Sequence, residues 1–368
     1  MRRVQLGKTL DFFNGKAVSA EESGKYPVYG SNGVIGFTAK HKYENSIVIG
    51  RVGAYCGSIN YERGKYWASD NTIVADTKSE YSIEFLSFLL KALPLNSLAG
   101  GSAQPLLNQT ILSRIEASIP DLREQKKVAA ILSAYDELIE NNQRRIALLE
   151  KMAEEIYREW FVRLRFPSYE KVRFVKGLPA DWDIKRVKEI VTRKQFGRIY
   201  REAELFDGGQ VVVIDQSRVD CLGYHDGEAQ HLASPDSPIL LFGDHSCKMI
   251  LMTKPFSLAE NVIPFDPKPN VSPYFLFHLV KDLARTTEYK RHWTDLTNRE
   301  VLVPKESLQV EFENAAKHNH EQIEVLQQVV RKAEKVRNLL LPRLISGQLS
   351  VENLDIQFPL GMEKSAYA

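Results

Sequence analysis

The chain has 368 residues, of which 43% are hydrophobic and 26% are charged. This composition is typical of a folded globular protein with room for two domains, and it excludes an intrinsically disordered chain. The formal net charge of +2 is close to neutral, so a surface that binds nucleic acid would have to be local and balanced by acidic residues elsewhere.

Neither export nor membrane insertion is predicted. The first residues are not followed by the apolar stretch of a signal peptide, and no window reaches the roughly 18 apolar residues of a membrane span. Cys56, Cys221 and Cys247 have no spacing typical of metal ligands and cannot all pair with one another. We therefore expect reduced thiols and a soluble, cytoplasmic protein.

The first predicted elements are short strands joined by turns. Residues 26–33 read as a strand followed by a glycine turn, and residues 46–50 read as a short buried strand. One helix is predicted around residues 83–92. Residues 1–119 are therefore expected to form a mixed α/β domain with a β-rich core.

A long helix is predicted next, over residues 120–165. Its apolar positions follow one another in steps of four and three residues, which is the seam of a helix that packs against another helix. The seam positions are Val128, Leu132, Tyr135, Ile139, Asn142, Ile146, Leu149, Ala153, Ile156 and Trp160. At 1.5 Å per residue, about forty helical residues extend over roughly 60 Å, too far to fold back into one small domain.

The second half of the chain repeats the first. Residues 259–266 align with residues 69–76 at an offset of 190, and residues 186–187 align with residues 3–4 at an offset of 183. Because several matches occur in the same order, the sequence indicates two copies of one unit. Residues 166–304 are expected to form the second mixed domain.

The second domain is predicted to contain strands at residues 210–215 and 238–244 and a helix at residues 273–283. A second long helix follows over residues 305–350, and residues 351–368 form a tail. Its seam lies at an offset of 184 from the first, at Phe312, Ala316, Asn319, Ile323, Leu326, Val330, Ala333, Arg337, Leu340 and Leu344.

Together these features predict an α+β fold with an internal duplication. Two mixed α/β domains with β-rich cores would be separated by two long antiparallel coiled-coil helices. A single heptad segment is more often a dimerisation coiled coil. Two segments in the same register, each after a similar domain, instead favour pairing within one chain.

The sequence resembles the specificity subunits of type I restriction–modification systems over essentially its whole length. Residues 26–36 and 49–58 look like a first target-recognition domain, and residues 241–246 look like the equivalent stretch of another variant. The other resembling segments are 119–129 and 159–167 at the ends of the first spacer helix, 178–182 at the start of the second domain and 340–347 at the end of the second spacer. The first domain lacks a tryptophan equivalent to Trp182 at its start.

The resemblance implies a non-catalytic subunit that reads a bipartite DNA sequence, one half-site per domain, across an unread gap. Because the two domains differ strongly in sequence, the two half-sites should differ and the target should be asymmetric. Two modification subunits that methylate adenine at N6, and restriction subunits with nuclease and translocase activity, are the implied partners. No cofactor is expected in this chain, and S-adenosylmethionine would belong to the modification subunits.

Polar and basic residues in the loops are the candidates for reading DNA, because base edges are recognised by such side chains. In the first domain they are Ser31, Asn32, Lys40, His41, Lys42, Arg51, Arg63, Lys65, Ser102 and Gln104. In the second they are Gln216, Ser217, Arg218, His245, Lys248, Lys290, Arg291, His292 and Arg299. Each of them alone is better explained as a solvated surface residue, so the prediction concerns the set.

Catalysis by the chain itself is not predicted. An adenine methyltransferase needs a glycine-rich cofactor loop and a motif that holds a flipped base, and neither occurs here. Gly30, Gly33 and Gly36 are evenly spaced, but no P-loop lysine follows them. An alternative of another class is an interaction scaffold whose paired domains bind protein instead of DNA.

Overall fold

The computed structural model describes residues 1–99, 106–217, 221–285 and 291–358. The chain divides into two compact units, Met1–Asn142 with Val329–Ala368 and Gln143–Gln328. Each unit combines a β-rich domain with segments of two long helices.

Unit 1 is built around a six-stranded sheet. Its elements are β1 (Arg2–Gln5), β2 (Leu10–Asn14), β3 (Tyr26–Gly30), β4 (Gly33–Thr38), β5 (Tyr43–Gly50), β6 (Ile59–Ala68), β7 (Thr72–Thr77), α1 (Ile83–Ala92), α2 (Gln109–Arg114), β8 (Glu116–Ile119) and the start of α3 (Leu122–Tyr157). The strand order in the sheet is β2-β7-β5-β6-β3-β4, and β1 pairs separately with β8. All strand contacts are antiparallel except β3 with β6.

The alternation of side chains along β5 and β7 gives this sheet two buried faces. Ile47 and Ile49 join the main core with Phe85 of α1. Val48 points to the other face, into a smaller cluster with Tyr66. Residues on both faces are apolar because helices and loops cover both sides.

Unit 2 contains a second domain with shorter strands. Its elements are β9 (Phe174–Val175), β10 (Leu178–Pro179), β11 (Asp183–Arg186), α4 (Val187–Ile190), β12 (Val191–Arg193), β13 (Val211–Ile214), β14 (Gly223–His225), β15 (Ile239–Gly243), β16 (Met249–Met252), β17 (Phe256–Leu258), β18 (Val262–Pro267), α5 (Pro273–Val280), α6 (Trp293–Thr297), β19 (Glu300–Val303) and the first part of α7 (Glu306–Ile345). Its strands form the sheets β12-β18-β15-β16 and β14-β13-β17, and β11 pairs with β19.

The two domains share one strand order. In unit 2, β16 and β17 together correspond to β6 of unit 1. With this correspondence, the order β12-β18-β15-β16/β17-β13-β14 matches the strand order of unit 1. In addition, β13 pairs in parallel with β17, as β3 does with β6. The interruption falls at residues 253–255, where Pro255 has no N–H to donate to a neighbouring strand. The internal duplication is therefore confirmed at the level of topology.

The paired outer strands repeat in the same way. In unit 1, Arg3 lies 2.7 Å from Glu116 across the β1–β8 pair. In unit 2, Arg186 lies 3.8 Å from Glu300, which is directly opposite it in the β11–β19 pair, whereas Arg3 is directly opposite Ser118. Asn108 and Asn298 align at the offset of 190 in sequence but differ in structure, because Asn108 caps the start of α2 whereas Asn298 caps the end of α6.

The long helices run in opposite directions within each unit. In unit 1, Lys127 of α3 contacts Val351, just beyond α7, while Asp136 contacts Arg337. In unit 2, Tyr157 near the end of α3 packs edge-to-face against Phe312 near the start of α7. All twenty predicted seam positions are buried or half-buried, which confirms the coiled-coil prediction.

Candidate nucleic-acid interface

A tight turn after β5 brings together several of the candidate residues in unit 1. A Cβ on Gly50 would lie 2.3 Å from the carbonyl oxygen of Tyr55 and 2.5 Å from Oγ of Ser58, so only glycine fits there. The Ser58 hydroxyl donates to the carbonyl of Ser31, and Ser31 Oγ donates to the carbonyl of Asn71 at 2.7 Å. The β3–β4 turn is thereby fixed against the end of β5.

Arg51, the next residue, anchors a further segment at this turn. Its N–H donates to the Asn71 carbonyl at 2.9 Å, and its own carbonyl accepts from the N–H of Leu107 at 3.0 Å. The Cys56 thiol also donates to that carbonyl, and burial raises the pKa of this thiol. Within the described residues, Nε of Arg51 is buried and has no hydrogen-bond partner. The backbone of Arg51 thus joins the turn to Leu107.

The remaining unit 1 candidates lie elsewhere on the domain. Asn32 is exposed in the same turn, but His41 stacks on Tyr26 at 4.7 Å, at the other end of the β3–β4 hairpin. That end is about 13 Å away, at 3.3 Å per strand residue. Lys40 and Lys42 flank His41 and are also exposed.

Two basic residues of β6 complete the first set. Arg63 lies 3.4 Å from Glu137 of α3, so its charge is directed at the long helix. Lys65 is exposed and pairs across the strands with Glu44. The structure thus groups Ser31, Asn32 and Arg51, and separates them from the other basic candidates.

Unit 2 contains the same turn after β15. A Cβ on Gly243 would lie 2.3 Å from Oγ of Ser246 and 2.8 Å from Cβ of Gln216. Ser246 Oγ donates to the Gln216 carbonyl at 2.8 Å, as Ser58 does to Ser31. The Gln216 side chain also accepts from the N–H of His245 at 2.9 Å. We call these two equivalent structures the glycine–serine turns.

Asp244 occupies the position of Arg51 in unit 2. Its N–H donates to the Asn261 carbonyl at 2.9 Å, and its carbonyl accepts from the N–H of His292 at 2.8 Å. The buried carboxylate accepts from the N–H groups of His292 and Trp293 at 3.1 and 2.9 Å. Nε of Arg291, a residue whose side chain is 79% exposed, lies 3.9 Å from this carboxylate. Asp244 therefore holds an exposed arginine at the turn.

Most of the other unit 2 candidates in the described residues lie close to this turn. Lys248 donates from its N–H to Ser246 Oγ at 3.2 Å, and exposed Ser217 donates from its hydroxyl to Asp215 at 2.8 Å. The His292 ring is buried, with Nδ1 3.4 Å from Asp295. Arg299 is exposed, one residue before β19. Ser102, Gln104, Arg218 and Lys290 lie outside the described residues.

Sequence reasoning missed the residues that hold the turns together. Ser58, Ser246 and Asp244 act through hydrogen bonds to residues 27 to 49 positions away in sequence. The signal that could have found them was a glycine directly after a buried strand, in residues 46–50 and again in residues 238–244.

The turns offer hydrogen-bonding and cationic groups but no arrangement for metal chemistry. Among the described residues, no group of three or more His, Cys, Asp or Glu side chains could hold a metal ion. No helix in the described part of the chain is both long and apolar enough to cross a membrane. The arrangement is suited to binding, with an arginine at each turn able to bond to a guanine edge or a phosphate.

The fold is that of a DNA-specificity subunit. The crystal structure of the S subunit of a type I restriction–modification system from M. genitalium superimposes with a TM-score of 0.68, covering 94% of this chain and 96% of that chain at 17% identity. Residues 4–151 match the family described as type I restriction modification DNA specificity domain.

Sequence relatives carry the same description. The type I restriction enzyme MjaIX specificity subunit of Methanocaldococcus jannaschii is 26% identical over 307 residues, which are 74% of this chain and 70% of the relative. The EcoprrI specificity subunit of Escherichia coli is 31% identical over 145 residues, which are 37% of this chain and 36% of the relative. The matched domain, these relatives and the fold all indicate a type I restriction–modification specificity subunit.

Proposed function

We propose that this chain reads a bipartite, asymmetric DNA sequence, with one half-site recognised by each unit. The observation that carries the proposal is the pair of glycine–serine turns. In both turns a serine hydroxyl donates to the carbonyl of residue 31 or 216, but the loops differ in length and the side chains differ: Ser31 and Arg51 in unit 1, Gln216 and Asp244 with Arg291 in unit 2. Different side chains on one frame support two different half-sites.

The proposed target is duplex DNA, and the chain supplies specificity to a larger enzyme. Two modification subunits would bind S-adenosylmethionine and methylate adenine at N6, and restriction subunits would supply nuclease and translocase activity. The chain itself would need no cofactor and would act in the cytoplasm. The similarity to relatives that are named specificity subunits of type I restriction enzymes supports this assignment.

We propose a role for each segment of the sequence. Residues 1–119 and 166–304 would be the two target-recognition domains, and residues 120–165 and 305–350 the spacer helices, with 351–368 as a tail. The continuous α3, of 36 residues, and α7, of 40 residues, support the spacer role.

The decisive experiment is genome-wide mapping of N6-methyladenine with and without the gene. A split motif with two unlike halves should be methylated in the parent strain and unmethylated in the deletion strain. Binding to a duplex that carries the motif, measured with the modification subunits present, should weaken steeply between low and moderate salt. Identical methylation in the two strains, together with salt-insensitive binding, would favour a protein-interaction scaffold instead.

A further inference from the structure

A buried glutamine near the start of α3 joins the domain of unit 1 to its long helix. Gln125 is 1% exposed. Its Oε1 accepts from the backbone N–H of Ser82 at 2.9 Å, and its Nε2 donates to the carbonyl of Pro120 at 2.9 Å. One amide therefore bonds to two segments of the chain that are 38 residues apart in sequence.

Both bonded segments are structurally important. Ser82 caps α1, with its hydroxyl accepting from the N–H of Phe85, and α1 packs against the sheet through the main core. Pro120 is the residue between the last strand of the domain and the helix, where Asp121 accepts from the N–H of Glu124 at 2.9 Å. Through Gln125, the helix that packs on the sheet is fixed to the first turn of α3.

The same arrangement occurs in unit 2. Gln309 is also 1% exposed. Its Oε1 accepts from the N–H of Ser272 at 3.0 Å, and its Nε2 donates to the carbonyl of Pro304 at 2.8 Å. Ser272 caps α5 with its hydroxyl, as Ser82 caps α1. We call these two sets of contacts the glutamine bridges.

Only a glutamine side chain supplies what these positions need. Each site is buried and presents one N–H and at least one carbonyl, so the side chain must be neutral and must both accept and donate. Glutamate has no N–H for the proline carbonyl, and asparagine is one methylene shorter. Leucine would fill a similar volume but leave both backbone groups buried without a partner.

Resting on the proposed function, we propose that Gln125 and Gln309 are positioning residues that set the angle between each recognition domain and its spacer helix. In this role they determine which gap between the half-sites is accepted, whereas the turn residues determine which bases are read. Neither glutamine touches the glycine–serine turns in the described residues.

The test compares the methylated motifs directed by variants of the full chain, co-expressed with its modification subunits in a host without adenine methylation. For Gln125→Leu and Gln309→Leu we expect both half-sites to be unchanged. Methylation at sites whose gap is one base pair shorter or longer should rise at least tenfold relative to the parent. Gln143→Leu, at an exposed position of the same helix, should methylate the parent sites only.

An unchanged set of gaps in the folded Leu variants would overturn the proposal. Thermal unfolding of each purified complex shows whether a variant is folded, and Gln125→Asn provides a milder change at the same site. Should both Gln125 variants fail to fold, the bridge would be assigned to folding alone, which also overturns the proposal. If the parent itself directs no split motif, the failure lies in the proposed function rather than in the glutamine bridges.

Discussion

Arg337 of α7 donates from Nη1 to Oδ1 of Asp136 on α3 at 2.7 Å. The arginine occupies a seam position, where most other residues are apolar, and both side chains remain about one-third exposed, at 29% and 31%. Lys91 lies 3.7 Å from the other carboxylate oxygen. The ion pair therefore explains how a charge is accommodated in the seam and fixes the register of the two helices in unit 1.

We expect Arg337→Ala to lower the free energy of unfolding by about 0.5–1 kcal/mol, because partly exposed ion pairs are weak. A double-mutant cycle with Asp136→Ala, measured by urea denaturation, should show a coupling of similar size that decreases at high salt. Strictly additive effects of the two substitutions would contradict a direct interaction.

Gly243→Ala should be poorly tolerated, because the new Cβ would lie 2.3 Å from Oγ of Ser246. Such a clash costs about 1–3 kcal/mol of stability, and displacement of the turn should weaken specific DNA binding at least tenfold. Gly208→Ala is the matched control, since nothing lies within 4 Å of its Cβ position. Equal behaviour of the two variants in denaturation and gel-shift titrations would refute this account of the turn.

Arg51→Ala and Arg291→Ala should each weaken specific binding by about 1–3 kcal/mol, if each arginine reads a guanine. The loss of sequence preference should be confined to one half-site in each case. Arg63→Ala is the comparison variant, because its guanidinium faces Glu137. Gel-shift titration at fixed salt, on duplexes with single-base changes in each half-site, measures the affinity and the sequence preference of the three variants. Unchanged affinity for both of the first two variants would remove them from the interface.

Lengthening both long helices by one heptad should lengthen the recognised gap. Seven residues inserted after Glu150 in α3 and seven after Gln322 in α7 preserve the seam, and each adds about 10 Å of helix. At roughly 3.4 Å per base pair, the gap should grow by about three base pairs. Methylation mapping of the variant reports the gap directly, and a gap equal to that of the parent would show that the helices do not set it.

Stability should fall in mild acid because of two buried histidines in unit 2. Burial lowers the pKa of His278 to about 3 and that of His320 to about 4, and Lys281 shifts both in the same direction. Since an unfolded histidine has a pKa near 6.5, the unfolded chain binds protons that the folded chain does not. The contribution of the two histidines to the free energy of unfolding is thus fully present above pH 6.5. The free energy of unfolding decreases by up to about 1.4 kcal/mol per pH unit for each ring as the pH falls toward the folded pKa values.

Urea denaturation between pH 7.5 and 5 measures this decrease. His278→Phe and His320→Phe, which remove one titrating ring each, should both give a shallower dependence on pH. Parallel curves for the parent and the two variants would contradict the prediction.

The helices and the internal duplication could be predicted from the sequence, because each produces a regular spacing of residues along the chain. The helix predicted at residues 83–92 is α1, and the seam positions from Val128 to Leu344 all lie at least half-buried. The helix predicted at residues 273–283 ends at Val280, three residues early. Repeats at fixed offsets indicated the duplication in the same way.

The site was harder to predict, because its geometry depends on contacts between distant residues. Nothing local shows that Asp244 accepts hydrogen bonds from residues 292 and 293, or that the His292 ring is buried. The glutamine bridges were missed for the same reason, since each joins residues about 40 positions apart. Charge placed Arg63 among the candidate DNA readers, and no sequence pattern showed that it also lies beside Glu137 of α3.

The strands that open and close each domain lie side by side, β1 with β8 and β11 with β19. A recognition domain therefore leaves and rejoins the rest of the polypeptide at neighbouring points. Replacing the residues between those two strands exchanges the whole domain and leaves the two long helices unchanged. Recombination at two short junctions would be enough to exchange one β-rich domain in a single genetic event.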